Sequence, residues 1–160
     1  MNKSDHFIKI ARNKFKFGLF LFSKLPVAYI SGVRVKEIDP TRAVVGLPFK
    51  FLTKNPFKSV YFASQAMAAE LSTGVLALLH TYGHTPPISM LVFQMKADFV
   101  KKAKSNILFE CSEGNKIKNA VDECIQTGKG ITVEVKSIGT DKTGDCVAEF
   151  SFTWSFKVKE

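Results

Sequence analysis

Between Val60 and Leu79 the chain carries a single formal charge, Glu70, in the run VYFASQAMAAELSTGVLALL. A carboxylate in an apolar pocket can activate water as a general base or attack directly as a nucleophile. An equally physical alternative is a structural acid paired with Arg or Lys from another element. Polar groups precede it at Asn55 and Tyr61. Tyr61 can donate a hydrogen bond through its hydroxyl or serve as a core aromatic. Asn55, beside Pro56, is what an ordinary turn would use. Lys58 and the group Lys101, Lys102 and Lys104 offer positive charge for an anionic ligand, although each single Lys is also what a solvated turn carries.

Other chemistries find little support. Cys111, Cys124 and Cys146 form an odd set with no CxxC, so neither a disulfide framework nor a zinc site is expected, and no metal site is assigned. There is no HExxH and no phosphate-binding glycine loop. His6, His80 and His84 fall into no catalytic pattern, and the last two suit a helix C-terminus, where a cation meets the dipole.

The element that must position Glu70 is a helix from Ser59 to Thr81, rich in Ala, Leu, Met, Gln and Glu, with Ser59 able to cap it and Gly83 able to end it. One stripe holds small and polar residues: Ala63, Ala66, Glu70, Thr73, Gly74 and Ala77. The other side is bulky, with Phe62, Met67, Leu71, Val75 and Leu78. A helix apolar nearly all round belongs in a core, and the stripe leaves room for a slender ligand, such as a fatty chain lying against Phe93 or Phe99. Its length would also suit a membrane span, but Gln65, Glu70 and several Ser and Thr argue against one.

Around it, residues 4–24 predict one basic amphipathic helix with Phe7, Ala11, Phe15 and Phe22 on one side, ended by Leu25-Pro26. It is read as packed over the domain with its cations in water, or as a membrane-surface or lid helix. Alternating segments predict a hairpin, Gly32 to Ile38 and Ala43 to Leu47, and four more strands: Met90 to Lys101, Ser105 to Cys111, Gly130 to Ile138 and Asp145 to Val158. A short helix is expected over Asn115 to Gln126. The fold class is α+β. Residues 1–25 form the N-terminal helix and 26–160 a single domain.

The chain has 160 residues and a net charge of +9, which favours an anionic partner. Its lysines form no dense run and no nucleic-acid motif, so nucleic acid is not the expected partner. The apolar run Phe17 to Phe22 is too short for a signal peptide, and a cytoplasmic location is expected.

This order resembles the hotdog fold, a curved antiparallel sheet wrapped around one long helix, here with an N-terminal helix and a short helical insertion added. NPFKSVYFA followed by AAE is similar to the phenylacetate-pathway acyl-CoA thioesterases. Those enzymes carry Asn, then His-Gly-Gly six residues on, then an acid nine after the His. Asn55, Tyr61 and Glu70 fall on these spacings, with Tyr61-Phe62-Ala63 in place of His-Gly-Gly. NPFKSVYFASQAMAAELSTG looks nearer still to a poorly characterised thioesterase-like branch.

The resemblance implies an acyl-CoA thioester hydrolase with no cofactor beyond the coenzyme A of its substrate. Asn55 would position substrate or water, the Phe62 amide would face the thioester oxygen, and Glu70 would act as base or nucleophile. Ala63, Ala66, Thr73 and Gly74 would line the acyl group, with Lys58, Lys101, Lys102 and Lys104 near the anionic end. Phe62 and Glu70 lie about 12 Å apart along one helix, too far to meet one carbonyl. The resemblance therefore implies a homodimer, with pairing into a tetramer as a further step. The alternative is a non-catalytic module binding acyl-CoA or fatty acid, favoured by the altered His-Gly-Gly segment, whose glycines allow close approach to backbone.

Overall fold

A computed structural model describes residues 3–159. The expected single N-terminal helix is two, α1 (Lys3–Arg12) and α2 (Lys14–Lys24). Asn13 between them is extended, and its side-chain oxygen accepts from the amides of Phe15 and Lys16 at 3.2 and 3.0 Å. It thereby caps α2. The break splits the expected stripe: Phe7 and Ala11 are buried, whereas Phe15 and Phe22 face water. Leu25-Pro26 ends α2 as expected. Pro26 then opens a short α3 (Pro26–Ile30) from its first position, where a missing N–H leaves nothing unsatisfied.

The strands follow the sequence pattern to within two residues at each end: β1 (Arg34–Ile38), β2 (Ala43–Leu47), β3 (Ile88–Phe99), β4 (Ile107–Cys111), β5 (Ile131–Thr140) and β6 (Cys146–Val158). They form one antiparallel sheet in the order β1-β2-β4-β5-β6-β3, so β3 occupies an edge. The sheet cups α4 (Phe62–Thr81), the central helix, and α5 (Gly114–Thr127) packs beside it through buried Ile117, Val121 and Cys124. On β6, Phe150, Phe152, Trp154 and Phe156 are buried while Ser151, Thr153 and Ser155 are only half-buried, which is the expected alternation. Each such aromatic contributes about 1.5–3 kcal/mol by leaving water. This architecture is the hotdog fold.

The central helix starts three residues later than expected. Ser59 does not cap it, because its amide and hydroxyl both donate to the Asn55 side-chain oxygen, at 3.2 and 3.1 Å. Lys58, in the left-handed region with φ +58°, turns the chain, and Tyr61 becomes the cap residue without a capping side chain. At the other end, the His80 ring donates from Nε2 to the Pro40 carbonyl at 2.9 Å, and burial lowers its pKa. His80 therefore ties the helix to the β1–β2 turn through this hydrogen bond. Two-thirds of the helix's most apolar window lies inside the domain, as suits a core helix.

Candidate functional site

Glu70 sits midway along α4, where the cover of the sheet gives way. It lines an apolar cleft of about 210 Å³ with Met67 and the segment Lys24 to Ala28. Burial alone pushes its carboxyl up to about 7. Its side chain makes no ion pair or hydrogen bond with a described residue, so the structural-acid alternative has no partner here. Oε1 lies over Gly74: a methyl group there would come within 3.0 Å of it and within 3.3 Å of the Trp154 ring. A side chain in place of Gly74, one turn below, would thus crowd the carboxylate.

The small stripe is divided. Trp154 covers its lower half, packing on Gly74 and donating from Nε1 to the Thr73 hydroxyl at 3.0 Å, while that hydroxyl donates to the Glu70 carbonyl at 2.9 Å. Thr73 and Gly74 are buried behind Trp154, in the turn of helix beneath the acid. Ala63 and Ala66 stay partly open on the upper half, level with Glu70 and above it. Phe93, the extra residue at a bulge in β3, is exposed. Phe99 meets the Phe62 ring edge-on at 6.5 Å and so reaches the helix start.

That start leaves donors free. No side chain caps α4, and the Tyr61 amide itself donates to the Thr53 carbonyl at 2.7 Å. The first-turn amides of Phe62 and Ala63 lie at the positive end of the helix dipole, where an oxyanion is favoured. Asn55 shapes this end from outside. Its side-chain oxygen accepts from Phe57 and Ser59, so its carbonyl is occupied by the turn preceding the helix. Tyr61 is exposed and meets Phe62 edge-on.

The lysines separate. Lys101 is held by Asp145 and Asp141 of the β5–β6 turn, and these carboxylates raise its pKa. Its ammonium charge is thus matched by two carboxylates. Lys102 lies 6.0 Å above the Phe57 ring, and the Val60 amide donates to the Ala103 carbonyl at 2.8 Å. Lys58 and Lys102 thus flank the helix start, with Lys104 exposed nearby in sequence. Sequence reasoning missed Lys50 and Lys54, which with Phe49, Phe51 and Pro56 line an open groove of about 590 Å³ beside Asn55 and Lys58. The signal was present as alternating Lys and Phe across residues 49–58. It also missed Leu25 and Val27 beside Glu70, because contacts across forty residues leave no local pattern, and it set Met67 on the bulky side although Met67 lines the same cleft. Among the described residues no three of His, Cys, Asp and Glu gather as a metal-ligand set.

A family model described as "Domain of unknown function (DUF4442)" matches residues 16–156. No curated protein matches the sequence. Among solved structures, PA5026 from Pseudomonas aeruginosa, a protein of unknown function described as a probable thioesterase, is 22% identical with a TM-score of 0.76, over 91% of this chain and 96% of its own. A Chlorobaculum tepidum protein of unknown function is 13% identical with a TM-score of 0.77, over 91% and 94%. Thioesterase HI1161 from Haemophilus influenzae is 10% identical with a TM-score of 0.67, over 92% and 93%. At these identities the likeness establishes the fold.

Proposed function

The chain belongs to the DUF4442 family, and from that premise we propose that it is an acyl-CoA thioester hydrolase built as a homodimer. The observation that carries this reading is Glu70: a carboxylate unpaired among the described residues, pushed up to about 7 by burial, at the wall of an apolar cleft that opens to water. Several neighbours of the same fold are described as thioesterases, which supports the reaction class.

In this reading the Glu70 carboxylate takes a proton from water as the hydroxyl adds to the thioester carbon. The oxygen of the tetrahedral adduct, now negative, rests on the Phe62 amide. The C–S bond then breaks, the thiolate recovers the proton from Glu70, and a carboxylic acid and free coenzyme A leave. Because α4 runs unbroken from Phe62 to Thr81, the amide and the acid remain about 12 Å apart in one protomer. Glu70 from one protomer therefore works with the Phe62 amide of its partner, brought together by pairing of the β3 edges. Lys54, Lys58 and Lys102 suit the phosphates of coenzyme A.

Thiol release from short, medium and long acyl-CoAs tests this on the wild type and Glu70→Gln. Loss of about 100-fold or more in the variant, with fold and assembly retained, is expected for removal of a general base. A second reading rests on Tyr61-Phe62-Ala63: with side chains where relatives of this type carry glycines, the pocket binds acyl-CoA without hydrolysing it. Thermal stabilisation by acyl-CoA with no thiol release from either protein would select that reading.

A further inference from the structure

The net positive charge of this chain arises in one part of it. Residues 1–69 hold twelve Lys and Arg against three carboxylates, whereas residues 70–160 hold eleven of each, so the first part accounts for the whole net charge of +9. Between Asp5 and Glu37 there is no acidic residue at all.

In that stretch α2 buries Phe17 and Leu21 and turns Phe15, Leu19 and Phe22 to water at helical spacing, with Phe15 75% exposed. Across the Leu25-Pro26 corner, α3 adds Val27 and Ile30, both more than half exposed. Such a row of large apolar side chains in water marks an interaction surface. Lys14, Lys16 and Lys24 are exposed beside it, and none forms an ion pair with a described residue.

We propose that the α2–α3 corner docks on an anionic lipid bilayer, its apolar row in the headgroup–acyl boundary and its lysines against lipid phosphates. Charge selects this occupant. Two copies meeting through the same face would set these lysines against each other with no carboxylate in the stretch to offset them. An anionic bilayer supplies both the apolar layer and the counter-charge. The segment Lys24 to Ala28 also lines the Glu70 cleft, so docking sets the cleft beside the lipid boundary, where long acyl chains reside. That last consequence rests on the proposed hydrolase; the docking does not.

The test is sedimentation of the full chain with phosphatidylcholine vesicles, with and without about 30 mol% phosphatidylglycerol. Binding is expected to the anionic vesicles only, and to weaken with added salt. Phe15→Ser with Phe22→Ser, and separately Lys14→Glu with Lys16→Glu, should each lower partitioning by about tenfold or more while leaving the melting temperature in place. Equal partitioning to both vesicle types, no partitioning to either, or partitioning untouched by both variants would overturn the proposal. So would self-association in lipid-free buffer that Phe15→Ser with Phe22→Ser abolishes, since it assigns the row to a second copy. Anionic-vesicle binding without thiol release upholds docking and removes only the hydrolytic reading.

Discussion

Glu70, a carboxylate with no partner among the described residues, would make stability and the proposed hydrolysis depend on pH in opposite ways. In the folded chain Glu70 keeps its proton up to about pH 7, against 4.5 for an ordinary Glu. Between those values the native state binds the extra proton, so stability falls as pH rises through this window. Glu70→Gln is free of that loss. In urea titrations its advantage over the wild type should be about 2 kcal/mol larger at pH 8 than at pH 5. Equal differences at both would show the acid to be paired in solution. The proposed hydrolysis would run the other way, because Glu70 as its base must be ionised: thiol release should climb to a plateau above about pH 7. Gly74→Ala addresses the same carboxylate by sterics. The added methyl would crowd Oε1 and Trp154, while the gain in helix propensity, about 1 kcal/mol, offsets the crowding. Melting temperature should stay close to that of the wild type, and thiol release should fall about tenfold through misplacement of the acid.

At the scale of elements, local chemistry was legible wherever a periodic pattern had one competitor at most. The bounds of β2 follow directly from AVVGL between turn residues, and the alternation of β6 from its aromatics. Two helix starts were misplaced for one shared reason: an Asn side chain took a decision that propensity could not reveal. Asn13, inside a run of good helix residues, stops α1 and caps α2. Asn55 captures Ser59 and moves the start of α4 to Phe62. Glu70 could be singled out from sequence by its isolation, whereas the cleft around it depends on α3 meeting α4, which periodicity does not encode. Removing the first of these caps gives a measurable result. Asn13→Ala should cost about 1 kcal/mol, and hydrogen exchange should accelerate over residues 14–24 while the sheet keeps its protection.

At the scale of the whole molecule the edge position of β3 decides most. Leu91, Phe93, Met95 and Phe99 are large, apolar and exposed along a twelve-residue strand with one unpaired side, a surface that soluble proteins rarely leave open. If this edge builds the dimer, Leu91→Asp with Phe93→Asp should sediment as a monomer and lose thiol release together, since neither protomer then holds both halves of the site. Retained activity in a monomer would place the amide and the acid in one chain and defeat the two-subunit arrangement. The same strand order also sets a sequence of events in time. β5 and β6 are neighbours in the chain, with Thr140 opposite Cys146, whereas β3 pairs from Ile88 opposite Val158 to Phe99 opposite Ala148. Closing the shorter loop costs less entropy, so the β5–β6 hairpin should form first and β3 should join it late. In pulse-labelled refolding, amides of β5 and β6 should gain protection before those of β3. Until then β3 offers two open edges instead of one, and the interval before it docks is when this chain is most exposed to aggregation.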